Sequence, residues 1–285
     1  MIAPLFALAL AKAGDGAATG ATLPDGFFNF FTTPQDIISG LGWGLGYFGM
    51  PHIIIRFMSL KSEKELRKSS VIGISWTTII LIMSALTAIA GRLYLGEIED
   101  SSTVFITMVR RIFPALVSGL LLSAILSAAM STADSQLLAA SSAFASDVYK
   151  PVIRKKASDS EMLWAGRIVV IVIAVVALMI ASDPNSGSIM GLVENAWGVF
   201  GAAFGPVILL SLFWKRLTFG GTVAGIAVGA AVDILWLVFL SSTDIYEIVP
   251  GFAAGLLAAV VVSLLSKGPG KDVEDLFDRA VDLKS

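Results

Sequence analysis

The 285-residue chain has no cysteine and a single histidine, His52. The first absence excludes disulfides, thiolate chemistry and zinc–sulfur centres, and one imidazole excludes a multi-histidine metal site. Charge is also scarce: Asp, Glu, Lys and Arg make up 15% of the residues, against about 25% in soluble domains. The net charge of −2 implies no nucleic-acid partner. What fills the chain instead is apolar: 56% of residues are hydrophobic and the mean hydropathy is +0.83. These shifts place it among all-α integral membrane proteins, with the lipid bilayer as its first partner.

A helix that crosses the bilayer needs about 20 mostly apolar residues. Seven segments qualify: Asp36–Met58, Val71–Leu93, Pro114–Ser135, Met162–Ala181, Ser188–Trp214, Phe219–Leu240 and Ile245–Leu265. The helical pattern of the third runs on towards Tyr149. The opening "MIAPLFALALA" is about half the required length and lacks the basic n-region of a signal peptide. It reads as the stub of a helix, and residues 1–35 as that stub plus an external loop.

Basic residues orient the spans, because cytoplasmic loops carry the excess of Lys and Arg. Arg56, Lys61, Lys64, Arg67 and Lys68 follow the first span, and Lys150, Arg154, Lys155 and Lys156 follow the third. Lys215 and Arg216 follow the fifth, and Lys267, Lys271, Arg279 and Lys284 the seventh. The loops "SDPNSGS" and "SSTDIYE" contain none. The first span therefore enters from outside and the C-terminus lies in the cytoplasm. Two shorter pieces read as amphipathic helices: Val104, Phe105, Met108 and Ile112 share a face, as do Val273, Leu276, Phe277, Ala280 and Val281 in the tail.

The first span is interrupted. "GLGWGLGYFGMPH" puts five glycines and Pro51 where helix interior is due. A glycine weakens a helix by about 1 kcal/mol relative to alanine, and a proline by about 3. Two readings follow. The glycines serve close helix–helix packing, or the helix is broken and its irregular backbone lines a cavity. Trp43, Tyr47 and Pro51 recur every four residues, which on a helix gives one face. Rings beside freed carbonyls suit a small organic solute. His52 and Arg56, one turn apart, serve equally well as headgroup anchors.

The third span carries the opposite anomaly, polar residues inside an apolar run: "SAAMSTADSQLLAASSA". Ser123, Ser127, Ser131, Asp134 and Ser141 fall in a narrow helical arc. Ser123, Ser127 and Ser141 read as packing glue, their hydroxyls bonded to carbonyls one turn back. Ser131 and Thr132 differ, since adjacent hydroxyls can join the Ala128 carbonyl around one small hard cation, which takes oxygen ligands. Asp134 is an intramembrane carboxylate, a functional suspect by position. It either tunes cation affinity or faces an aqueous vestibule.

"WGLGYFGMPHIIIRFM", "ILSAAMSTADSQLLAASSAFASDVYK", "AWGVFGAAFGPVILLSLFW" and "YEIVPGF" together resemble the sodium:solute symporters, and among them those that carry proline. The likeness runs from about Gly40 to Lys267. It implies a leucine-transporter-type fold of two inverted five-helix repeats, with sites at the midplane between them. On that resemblance residues 36–214 are the second repeat, 215–266 two peripheral spans and 267–285 a cytoplasmic tail. Ala128, Ser131 and Thr132 match the sodium-binding helix; Trp43, Tyr47 and Pro51 match the solute-lining broken helix. Glu194 and Asp233 match no family ligand and are expected to be solvated near the outer ends of their helices.

The family's members carry some five or more further spans before the "WGLGYFG" helix. The missing half of the transporter, in cis or as a separate chain, is thus an expected partner. The function expected is sodium-coupled symport of a small solute, proline first, by alternating access in the bacterial plasma membrane. The alternatives are a non-transporting fragment or subunit of a split transporter and, more remotely, an intramembrane hydrolase. The last is disfavoured, because His52 is the sole available base for a serine dyad and no GxSG-type motif occurs. The chain is not expected to be an enzyme.

Overall fold

A computed structural model describes residues 2–13, 23–29, 33–183 and 186–282, and among these the regular structure is helical throughout. In chain order the α-helices are α1 (Ile2–Ala13), α2 (Pro34–Gly46), α3 (Pro51–Met58), α4 (Glu63–Leu95), α5 (Val104–Ile112), α6 (Ala115–Ala143), α7 (Asp159–Ser182), α8 (Ile189–Phe213), α9 (Phe219–Phe239), α10 (Ile248–Leu265) and α11 (Lys271–Asp282). A π-helical stretch, Phe144–Ile153, prolongs α6 and contains Pro151.

Six described segments are long and apolar enough to cross a membrane: Glu65–Leu95, Ala115–Ile153, Asp159–Ser182, Ile189–Phe213, Phe219–Phe239 and Ile248–Leu265. The seventh span expected from sequence, Asp36–Met58, is two short helices rather than one. Pro51 is the reason for the restart. It has no N–H for an interior helix bond, disfavours helical backbone at the residue before it, and fits the first turn of a new helix.

The chain divides into two compact units, the first built from Met1–Phe30 and Ser59–Ala140, the second from Phe31–Met58 and Ser141–Ser285. In the first, α1 and α5 pack on the C-terminal end of α4. Ala3, Ala7, Ala90, Met108 and Val109 are buried there, with Val104, Phe105 and Ile112 against them. The apolar face of α5 read from the sequence is thus the face that is covered. The Ser118 hydroxyl donates to the carbonyls of Val109 (3.1 Å) and Phe113 (2.9 Å), fixing the turn from α5 into α6.

In the second unit α8, α9 and α10 approach through small residues. A β-carbon on Gly225 would lie 2.8 Å from Val207 Cγ1 and 2.9 Å from Ala259 Cβ; one on Gly255 would lie 3.0 Å from the carbonyl oxygens of Ala202 and Gly225. On Gly229 it would press on the Ala202 carbonyl itself. Apolar side chains gain nothing by leaving lipid for a helix interface, so backbones in close van der Waals contact supply the attraction here. Thr218 caps α9: its hydroxyl accepts from Gly221 N–H at 3.1 Å, and its own N–H donates to the buried Ser263 hydroxyl on α10, also at 3.1 Å. Lys215 and Asp278, 2.6 Å apart, tie the tail helix α11 to the start of α9.

Candidate functional site

The end of α2 is where the glycine-rich segment resolves. A helix leaves its last four carbonyls without intrahelical partners; here they belong to Trp43, Gly44, Leu45 and Gly46. Trp43's accepts the indole N–H of Trp197 on α8 at 3.0 Å. Leu45's accepts from Phe48 N–H (3.3 Å) and Gly46's from Gly49 N–H (3.0 Å), which makes the turn. Gly44 faces open space.

The glycines sort into two classes. Gly40 and Gly44 meet nothing within 4 Å, whereas a β-carbon on Gly42 would lie 2.7 Å from Val249 Cγ2. One on Gly46 would strike the Trp197 indole, and one on Gly49 the Phe200 carbonyl. Packing and breakage, set against each other in the sequence, both occur. Gly42, Gly46 and Gly49 let α2 approach α8 and α10, and the turn follows directly after Gly46.

The aromatic face forms against α8 and the start of α10. The Trp43 ring lies 6.1 Å from that of Trp197 and 5.4 Å from that of Tyr246; Tyr47 meets Trp197 edge-on at 4.9 Å. Tyr246 is held at both ends, its N–H donating to Ser39 Oγ (3.0 Å) and its hydroxyl to the Glu194 carbonyl (2.8 Å). Trp43 is half-buried, while Tyr47 remains 54% exposed. Pro51 opens α3 across the turn and is exposed. The structure therefore groups Trp43 and Tyr47 around Trp197 and sets Pro51 apart in the next helix.

The hydroxyl row on α6 lies in the other unit. Ser123, Ser127, Thr132 and Ser135 each donate to the carbonyl four residues back, at 2.8, 2.9, 3.3 and 2.9 Å. The acceptor for Thr132 is Ala128, so two of the proposed cation ligands already point at each other. Ser131 differs from these four: its hydroxyl has no hydrogen-bond partner among the described residues, and it is exposed. Asp134 is exposed one turn on. Oxygens of this kind, one carbonyl and two neutral hydroxyls, suit a hard monovalent cation that must be released again.

One expectation is overturned. Asp233 is not solvated: it is wholly buried between α8, α9 and α10, and neither carboxyl oxygen has a hydrogen-bond partner. Glycine approach is the reason, since the close contact of the three helices leaves water no path to that level of α9. Glu247, immediately before α10, is 8% exposed, and its Oε1 is also unpartnered. Burial pushes the Glu247 carboxyl above its ordinary value; a hydrogen bond from its own backbone opposes this, and nearby Glu194 adds to the rise.

Trp197, Tyr246 and Glu247 stand inside motifs quoted above, yet no role was read for them. Trp197 is 154 residues from its acceptor at Trp43, a separation at which sequence spacing carries no signal.

Comparison with known proteins agrees with the quoted motifs. The profile of the Sodium:solute symporter family matches residues 9–229. The High-affinity proline transporter PutP of Bacillus subtilis (strain 168) is 44% identical over 279 residues, covering 96% of this chain and 59% of that protein. The Osmoregulated proline transporter OpuE of the same organism is 45% identical over 247 residues, 85% of this chain and 50% of that one. The Sodium/proline symporter of Haemophilus influenzae is 46% identical over 261 residues, 87% and 52% respectively. The chain thus spans between half and three-fifths of the length of these relatives.

Proposed function

Since the chain belongs to the sodium:solute symporter family, we propose that it is the part of a sodium-coupled secondary transporter that carries one side of the sodium site and one wall of the solute site. The solute is a small organic molecule, proline first, as the names of the similar proteins suggest. Sodium moving down its gradient supplies the work. Ala128, Ser131 and Thr132 are the sodium ligands contributed by α6, and the remaining ligands come from the rest of the relatives' length, in cis or as a separate chain. Trp43 and Tyr47, with Pro51 beyond the turn, form the solute wall.

The observation that carries this reading is the Ser131 hydroxyl. In a row where Ser123, Ser127, Thr132 and Ser135 are satisfied by carbonyls one turn back, it is left for a ligand. In a membrane an unsatisfied polar group is costly, so a hydroxyl held open on a spanning helix needs a partner from elsewhere. Trp43 and Tyr47 support the solute wall in the same way, since the rings stay half-open although Trp197 and Tyr246 hold them in place.

The test is a chimera in which these residues replace the matching segment of the Bacillus subtilis proline transporter. Sodium-dependent proline uptake by vesicles containing it is expected, with a sodium requirement that rises when Ser131 is replaced by alanine. A chimera that reaches the membrane and takes up no proline under a sodium gradient would refute the assignment. In the proposed placement in the bacterial plasma membrane, a reporter after Ser285 is cytoplasmic and one inserted in "SDPNSGS" is external; reversed signals would overturn the orientation.

A further inference from the structure

Asp233 and Glu247 have no part in the proposed transport sites, and among the described residues theirs are the carboxyl oxygens buried without a hydrogen-bond partner. Three of their four carboxyl oxygens, both of Asp233 and Oε1 of Glu247, are buried without a hydrogen-bond partner. Two of the three converge. A β-carbon on Gly198 of α8 would lie 3.1 Å from Asp233 Oδ1 and 3.4 Å from Glu247 Oε1. Glycine at that position leaves open the space the two oxygens flank. The charged groups acting on the pair are acidic, Glu247 on Asp233 and Glu194 of α8 on Glu247, and the hydroxyl of the adjoining Tyr246 is committed to the Glu194 carbonyl. Two adjacent carboxylates cannot both stay ionised in a glycine-packed helix bundle without a positive charge between them.

We propose that Asp233 and Glu247 form a cation-binding acid pair, holding one monovalent cation, a proton or an alkali-metal ion, in the space beside Gly198. Glu247 gives the site its access, since it is slightly exposed and adjoins the loop before α10, whereas Asp233 is sealed. The cation cancels one of the pair's two negative charges and joins α9 to the start of α10 beside Gly198 of α8. Tyr246 and Trp197 carry this order on to Trp43, so the occupied pair also steadies the aromatic wall at the end of α2. The site is separate from Ala128, Ser131 and Thr132, which belong to the other unit, and it stands or falls independently of them.

The experiment uses the 285-residue chain in lipid nanodiscs. Infrared spectroscopy in sodium-free buffer at neutral pH reads the carbonyl band of a protonated carboxylic acid, and equilibrium binding of radioactive sodium reads an alkali-metal ion. The proton form predicts an acid band lost in Asp233→Asn and in Glu247→Gln. The alkali form predicts a saturable sodium site weakened at least tenfold in both variants and unchanged in Ser127→Ala, whose hydroxyl is bonded within its own helix. Gly198→Ala keeps both carboxyls but places a methyl between them; it should shift the band or weaken sodium binding at least fivefold. Wild-type chain that shows neither an acid band nor saturable sodium binding overturns the proposal, whatever the variants do. So does a signal that survives both carboxyl substitutions.

Discussion

The α8–α9–α10 bundle and helix α6 are built from similar letters, glycine, alanine and serine in an apolar background, and use them in opposite ways. In the bundle the small residues are consumed by contact: Ala202 is fully buried, and the glycines at 225, 229 and 255 each lie against a neighbouring helix. On α6 the small residues from Gly119 to Thr132 meet little, although Ser118 and Ser141 on either side are buried. Gly119 has nothing within 4 Å, and Ser123, Ser127, Ser131 and Thr132 are all exposed. The same composition therefore marks either a finished interface or an open polar face, and what a glycine's missing β-carbon would touch tells the two apart.

The sharpest way to break this comparison is one substitution placed in both regions. Gly229→Ala drives a methyl into the Ala202 carbonyl, which is backbone and cannot swing away. It should cost roughly 2–3 kcal/mol of stability, within the range for overpacked cores, read by detergent-induced unfolding in micelles. Wild-type stability for this variant would mean that the bundle is looser than its glycines imply.

Ligand-directed effects come next. In the chimera, Ser131→Ala or Thr132→Ala should raise the sodium concentration for half-maximal uptake at least tenfold, equivalent to about 1.4 kcal/mol. Trp43→Ala or Tyr47→Ala should weaken apparent proline affinity about tenfold while leaving the sodium requirement nearly unchanged. The Trp43 substitution is a clean one, because the hydrogen bond to Trp197 uses the backbone carbonyl and survives it. Unchanged proline affinity in both would make the rings packing elements.

Smaller still is the effect of removing a helix-bonded hydroxyl that lies outside the proposed ligand set. Ser127→Ala should cost no more than about 0.6 kcal/mol of stability and leave the sodium requirement alone. If Ser127→Ala and Ser131→Ala behave alike in uptake, the distinction between glue and ligand on α6 is lost. At the low end, Gly119→Ala should stabilise the chain slightly, by about 0.5 kcal/mol in a thermal unfolding assay, since it adds helix preference and meets no neighbour.

Much of this was legible in advance because it is local. Hydropathy over about 20 residues depends only on the residues in the window, and it located all six uninterrupted spans. The α5 face was readable from the positions of Val104, Phe105, Met108 and Ile112, since helical periodicity is fixed by backbone geometry. The break after Gly46 was readable too, because Pro51 lacks an N–H and the glycines favour no helix.

Other features were decided by the fold alone. The five glycines of "GLGWGLGYFGMPH" look alike in one dimension, yet Gly46 touches Trp197 and Gly44 touches nothing, and only the docking of α2 on α8 and α10 separates them. The sequence determined by itself that the chain is helical, membrane-embedded and interrupted near Tyr47, because hydrophobicity and backbone preference act over a few residues. Tertiary structure alone decided that Asp233 is sealed rather than solvated and faces Glu247 across Gly198, because burial depends on which helices meet, and those contacts join residues far apart in the chain.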